Sequence, residues 1–134
     1  MKISNYRLYV ILDRKNQRGR SFLETARAAI KGGADVIQLR DKELSAKELI
    51  RQGTPVREWT RQTGTLFIVN DRLDVAVALQ SDGVHLGQDD LPIDAAKRII
   101  GPKVLIGKST HSLGQALEAE REGADYIGVG PVFA

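Results

Sequence analysis

Short apolar runs recur along the chain at residues 8–12, 36–39, 66–69, 83–86, 104–107 and 126–129. Each is too short for a helix and rich in β-branched residues, which favours a strand. Most lack apolar–polar alternation, as expected of parallel strands buried on both faces. The stretches between them are long enough for amphipathic helices. Strands alternating with helices predict repeated βα units around a parallel sheet.

The helix-length stretches carry start and stop signals. Ser21-Phe22-Leu23-Glu24, Ser45-Ala46-Lys47-Glu48 and Ser112-Leu113-Gly114-Gln115 fit the capping box, in which Ser and Glu or Gln satisfy orphan N–H groups. Gly32-Gly33, Gly64, Gly101 and Gly123 stand where left-handed C-caps are expected. Pro92 suits the first turn of the fourth helix. Gly53-Thr54-Pro55 is expected to break or kink the second helix, with Thr54 capping a second piece that runs to Gln62. One joint repeats: Gly33-Ala34-Asp35, Ser81-Asp82 and Gly123-Ala124-Asp125 each set a small residue and an Asp just before a strand. A barrel of βα units needs such repetition. The pattern yields six strands and five helices in one domain over residues 1–134.

Composition narrows the class without redirecting it. With no cysteine, neither a disulfide framework nor a thiolate metal site is available. The net charge of +3 comes from 20 basic and 17 acidic residues, mixed rather than clustered, so nucleic acid is not an expected partner. No apolar run approaches the roughly 18 residues of a membrane span, and the N-terminus lacks a signal-peptide core. A cytoplasmic protein without a membrane partner is the expectation.

Candidate chemistry collects where the strands end, the face that carries ligands in parallel α/β folds. After the second strand, Gln38 and Arg40 share a face by period 2, opposite Leu39. Arg40 and Lys42 pair a planar fork with a mobile point charge, suited to pyrophosphate. An isolated Arg-x-Lys is more often a solvated loop, but a Gln inside an apolar strand needs partners. Asp71 either caps the helix beginning near Arg72 or ligates a hard cation. Asp89 and Asp90 suit Mg²⁺, or compensate a helix dipole. His85 reads as a packed, hydrogen-bonded histidine. Ser109 and Thr110 can donate to a phosphate or a substrate ring, and no Gly-x-Ser-x-Gly elbow marks a nucleophile. Gly128 and Gly130 would let a ligand approach the backbone. There is no P-loop and no Gly-x-Gly-x-x-Gly. Cations, two carboxylate clusters and hydroxyls on one rim read together as a Mg²⁺-pyrophosphate site.

Five motifs in register carry a resemblance across the whole chain. They are Gly33-Ala34-Asp35-Val36-Ile37-Gln38-Leu39-Arg40-Asp41-Lys42, Phe67-Ile68-Val69-Asn70-Asp71-Arg72, Gly83-Val84-His85-Leu86-Gly87-Gln88-Asp89-Asp90, Ile106-Gly107-Lys108-Ser109-Thr110-His111 and Gly123-Ala124-Asp125-Tyr126-Ile127-Gly128-Val129-Gly130-Pro131-Val132-Phe133. The sequence resembles the thiamine phosphate synthases (thiamine-phosphate pyrophosphorylases). The resemblance implies a TIM barrel that joins a hydroxymethylpyrimidine pyrophosphate to a thiazole phosphate, with Mg²⁺ and a dissociative mechanism. It implies that Gln38, Arg40 and Lys42 hold the pyrimidine pyrophosphate, with Asp41 in the same loop. Asn70 would contact substrate, Ser109 would face the pyrimidine, and Asp71 and Asp90 would ligate Mg²⁺. Arg40 and Lys42 would also act electrostatically on the leaving pyrophosphate.

The family pattern continues past Gly-Pro-x-Phe with a Thr-x-Thr-Lys loop and two more strands, whereas this sequence ends at Ala134. A TIM barrel takes about 250 residues. The expectation is an incomplete barrel of about six strands, whose open edges favour a homo-oligomer or domain swap. Two alternatives remain: a relative of the thiazole tautomerases, or a Mg²⁺-pyrophosphate-binding module without turnover. The run Gly87-Gln88-Asp89-Asp90 argues against the tautomerase branch.

Overall fold

All six apolar runs form strands in the computed structural model, which describes residues 5–133. They are β1 (Tyr9–Asp13), β2 (Val36–Arg40), β3 (Leu66–Asn70), β4 (Gly83–Leu86), β5 (Leu105–Thr110) and β6 (Tyr126–Val129). The helices between them are α1 (Phe22–Lys31), α2 (Ala46–Thr63), α3 (Leu73–Ala78), α4 (Ile93–Ile100) and α5 (Leu113–Glu122), and a 3-10 turn spans Arg14–Asn16. The strands lie in sequence order in one sheet, and every neighbouring pair is parallel. This is the arc of a (β/α) barrel.

Strand periodicity sorts the side chains into two layers. Leu12, Ile37, Leu39, Phe67, Val69 and Ile106 belong to the main core, which includes Phe22, Leu49, Val56 and Ile93 from the helices. Val36, Leu66, Ile68 and Leu105 form a smaller cluster with Tyr6 and Tyr9 on the other face. Further along that inner face, towards the C-terminal ends of the strands, the residues turn polar, which is where a site can form.

The repeated aspartate joint is a carboxylate clamp. Asp35 Oδ2 accepts from the N–H groups of Arg7 and Leu8 at 2.8 and 2.9 Å. Asp82 Oδ2 accepts from Phe67 N at 2.8 Å, and Asp125 Oδ2 from Ile106 N at 2.8 Å. Each Asp before an even-numbered strand thus fastens the start of the preceding strand. These N–H bonds hold the Asp35 carboxyl below its ordinary pKa.

The expected break in the second helix does not occur, and α2 runs unbroken through Pro55. Packing outweighs the hydrogen bond that proline forfeits. Gly53 is buried, and a Cβ there would lie 2.8 Å from Leu79 Cδ1 and 2.9 Å from Leu39 Cδ2. Glycine therefore lets the helix settle directly onto the sheet. Thr54 starts no new helix; its Oγ1 donates to Ile50 O at 2.6 Å.

Ser21 and Glu24 close a full capping box. Ser45 caps α2, but the Glu48 side chain turns to Arg51 and Gln52. Ser112 caps α5, while Gln115 Oε1 accepts one residue earlier, from His111 N.

Candidate functional site

The polar inner face opens into a cavity of about 560 Å³. Gln38 and Arg40 from β2, Asn70 from β3, His85 from β4 and Ser109 from β5 all line it. They meet because each stands on the inward phase of its own strand. Gln38 is 2% exposed, and its Nε2 donates to Tyr9 Oη at 2.6 Å. The Tyr9 and Tyr126 hydroxyls lie 2.7 Å apart. Tyr126 Oη sits 3.0 Å from His85 Nδ1, and His85 Nε2 sits 2.7 Å from Ser109 Oγ. Burial pushes both tyrosine hydroxyls above their ordinary pKa, so neither ionises at neutral pH. Burial also holds the imidazole neutral, lowering the pKa of His85 to about 4.

The charged groups stand beside this row. Arg40 NH1 donates to Asp13 Oδ2 at 2.7 Å, an ion pair that orients the guanidinium. Lys42 is exposed, close enough to Asp71 and Asp90 to favour their charged forms. Asp41 turns into its own loop. Its Oδ1 accepts from the N–H groups of Glu43 and Leu44 at 2.8 and 2.9 Å, and its Oδ2 pairs with Arg14 Nε at 3.0 Å. Its contacts shape the segment that carries Lys42.

Asp71 is not a helix cap. The N-cap of α3 is Arg72, without a side-chain cap bond. Asp71 instead adopts a left-handed backbone, φ 65°, with its N–H donating to His85 O at 2.7 Å. That conformation is costly for a residue other than glycine, least so for Asn and Asp. Here it brings Asp71 against Asp90, where the two carboxyl groups share a hydrogen bond. That bond, with burial and the Asp90 charge, raises the Asp71 pKa to about 6. Burial opposes ionisation of Asp90. The bond with Asp71, the Gly87 N–H and the charges of Lys42 and Lys108 nevertheless hold it below the ordinary value. Lys108 Nζ donates to Gly87 O at 2.9 Å, so Gly87 is tied by both of its peptide groups. Asp89 is exposed and does not join the pair.

Sequence reasoning singled out neither tyrosine, although both occupy inward positions of apolar strands, the signal that exposed Gln38. It read His85 as packed and hydrogen-bonded, and the imidazole is so. Gly107 faces Tyr126 across the β5–β6 register, and a Cβ there would run into the Tyr126 ring. Gly107→Ala is therefore expected to displace that ring and cost about 1–3 kcal/mol. Urea unfolding checks this; an unchanged midpoint would refute the packing argument.

A parallel (β/α) arc with its polar site at the C-terminal ends of the strands places the molecule among the (β/α)-barrel proteins. Within that class, the sequence pattern described as "Thiamine monophosphate synthase" matches residues 8–134, and the chain belongs to that family. It is 52% identical over 132 residues to a thiamine-phosphate synthase of Chloroflexus aurantiacus, covering 98% of this chain and 61% of the relative. A thiamine-phosphate synthase of Methanoculleus marisnigri is 53% identical over 129 residues, covering 96% and 61%. The solved thiamine phosphate pyrophosphorylase of Pyrococcus furiosus superposes with a TM-score of 0.88 at 47% identity, over 96% of this chain and 61% of that one. The chain thus spans about three-fifths of the length of these relatives.

Proposed function

We propose that this chain carries the pyrimidine-pyrophosphate side of a thiamine phosphate synthase site. The reaction transfers a hydroxymethylpyrimidine from its pyrophosphate to the nitrogen of a thiazole phosphate, giving thiamine phosphate and free pyrophosphate. The observation that carries this reading is one rim that presents Gln38, Arg40, Asn70 and Ser109 around a cavity, beside the Asp71–Asp90 pair. Family membership supports the choice of substrates.

Roles follow from chemistry. Gln38, Asn70 and Ser109 offer neutral hydrogen bonds, suited to a pyrimidine ring. Arg40 and Lys42 offer positive charge for the pyrophosphate; Arg40 is oriented by Asp13, and Lys42 is carried on the loop that Asp41 braces. The C–O bond to pyrophosphate breaks first, and the leaving group takes the electron pair. The thiazole nitrogen then donates its pair to the pyrimidine methylene carbon. No protein nucleophile is required. Arg40 and Lys42 meet the negative charge that grows on the leaving group.

Mg²⁺ fits the donor set. Two carboxyl groups held against each other, both ionised above a pH of about 6, are an oxygen pair whose mutual repulsion a hard cation would relieve. Asp71 and Asp90 would hold the ion, and a bound Mg²⁺ would neutralise charge on the departing pyrophosphate.

Calorimetric titration with the pyrimidine pyrophosphate and Mg²⁺ tests the site. Binding is expected, and Arg40→Ala should weaken it about 10- to 100-fold, the loss of a charge-assisted contact. No heat above buffer dilution would refute the reading. Addition of thiazole phosphate, with thiamine phosphate followed by mass spectrometry, tests turnover.

A further inference from the structure

The cavity floor holds a hydrogen-bonded chain that the proposed reaction does not itself require. Gln38, Tyr9, Tyr126, His85 and Ser109 are linked by four contacts of 2.6, 2.7, 3.0 and 2.7 Å. These residues come from β2, β1, β6, β4 and β5. Each tyrosine hydroxyl has one proton to give, and a neutral imidazole has one donor and one acceptor nitrogen. The direction at one end therefore sets the direction at the other.

The amide of Gln38 turns its NH₂ towards Tyr9. Tyr9 accepts there and gives its own proton to Tyr126. Among the described residues the Tyr126 hydroxyl has Tyr9 and His85 as its partners, so its proton goes to His85 Nδ1. His85 then carries its proton on Nε2 and donates to Ser109 Oγ. Ser109, already accepting from His85, keeps its own O–H for the cavity. With the amide reversed, every bond would reverse, and Ser109 would spend its proton on His85.

We infer that Tyr9, Tyr126 and His85 are positioning residues, a one-way relay that aims the Ser109 proton into the cavity and so selects a ligand with a hydrogen-bond acceptor, such as a ring nitrogen, at that point. The identity of that ring rests on the proposed pyrimidine site; the direction of the relay does not. An acceptor-poor ring would leave the Ser109 proton unpaired in a part-buried site, the kind of penalty that gives sharp selection.

The tautomer of His85 reads the direction of the relay without any substrate. The chain has two histidines, so a ¹⁵N-histidine spectrum of the full chain is assigned by His111→Asn. The relay requires a protonated Nε2 and a bare Nδ1 on His85. The opposite tautomer overturns it. Tyr126→Phe keeps the ring that packs over Gly107 but removes the proton held for Nδ1, so the bias of His85 towards the Nε2–H form should weaken.

Selectivity supplies the second readout. The unaltered chain should prefer the pyrimidine pyrophosphate over a carbocyclic analogue lacking the ring nitrogens by about tenfold, the scale of one hydrogen bond. Tyr9→Phe and Tyr126→Phe should each reduce that preference to about twofold or less. The double variant should do no more than either alone, since a series chain breaks once. Affinity for inorganic pyrophosphate with Mg²⁺ should stay unchanged in all three. A preference retained in Tyr126→Phe refutes the relay. If the unaltered chain does not distinguish the pyrimidine pyrophosphate from inorganic pyrophosphate, the substrate reading fails and the tautomer alone decides the relay. If a tyrosine variant fails to fold, the tautomer of the unaltered chain still decides it.

Discussion

Asp82→Ala is expected to be among the most damaging single changes to the fold, costing about 3–5 kcal/mol. Asp82 closes the joint before β4 and also faces a buried guanidinium. Arg57 is 8% exposed, and its two terminal nitrogens reach Asp82 at 3.1 and 3.2 Å. Arg57 also donates to Gln80 O at 2.9 Å and to Thr60 Oγ1 at 3.3 Å, and its Cζ lies 5.6 Å from the centre of the Phe67 ring. Removing the carboxylate strands that charge in the core and orphans the Phe67 N–H. For a domain of this size, the loss corresponds to a melting temperature lower by roughly 10–20 °C. Asp82→Asn should cost less, because an amide oxygen can still accept from Phe67. The double variant Arg57→Met with Asp82→Asn should recover much of the loss, since no unpaired charge remains. Thermal unfolding of the four proteins checks the order. A loss below about 1 kcal/mol in Asp82→Ala would show that water reaches Arg57 when its partner is gone.

The strands were legible because a parallel sheet covered on both faces writes unbroken apolar runs. The inward phase of β2 was legible too, since a Gln amid those runs had to find partners. Pro55 misled because the sequence signals the hydrogen bond it forfeits, and not the close contact of Gly53 with Leu39 and Leu79 that offsets it. The Asp89–Asp90 adjacency is a relation along the sequence and not a pair in space. Neighbouring residues on a loop need not point together, and the pair that forms joins Asp90 to Asp71 on a different strand end. Least legible was the bond between Tyr9 and Tyr126, 117 positions apart. These tyrosines lie on the first and last strands of the sheet, which do not pair with each other. Only the curvature of six strands brings their hydroxyls together, and curvature is a sum over the sheet that no local pattern records.

Asp71→Asn should separate stability from cation binding more sharply than any other change at the site. In the absence of a cation, Asp71 pays twice: for its left-handed backbone and for its contact with Asp90. Asparagine tolerates that backbone at least as well, brings no second negative charge against Asp90, and can donate to it. The variant should therefore be as stable as the parent or up to about 1 kcal/mol more stable, as when a residue kept for function is replaced. Its affinity for pyrophosphate with Mg²⁺ should nonetheless fall by at least about 100-fold. Losing a ligand carboxylate should exceed the 10- to 100-fold that groups behind a ligand are worth. Asp90→Asn should lose affinity similarly but gain no stability, because Asp90 also accepts from Gly87 N at 2.6 Å and lies near Lys108. Urea unfolding without metal, paired with calorimetric titration of Mg²⁺-pyrophosphate, resolves the two effects. Undiminished affinity in Asp71→Asn would remove the carboxyl pair as the cation site. A clear loss of stability would mean instead that the pair holds the fold.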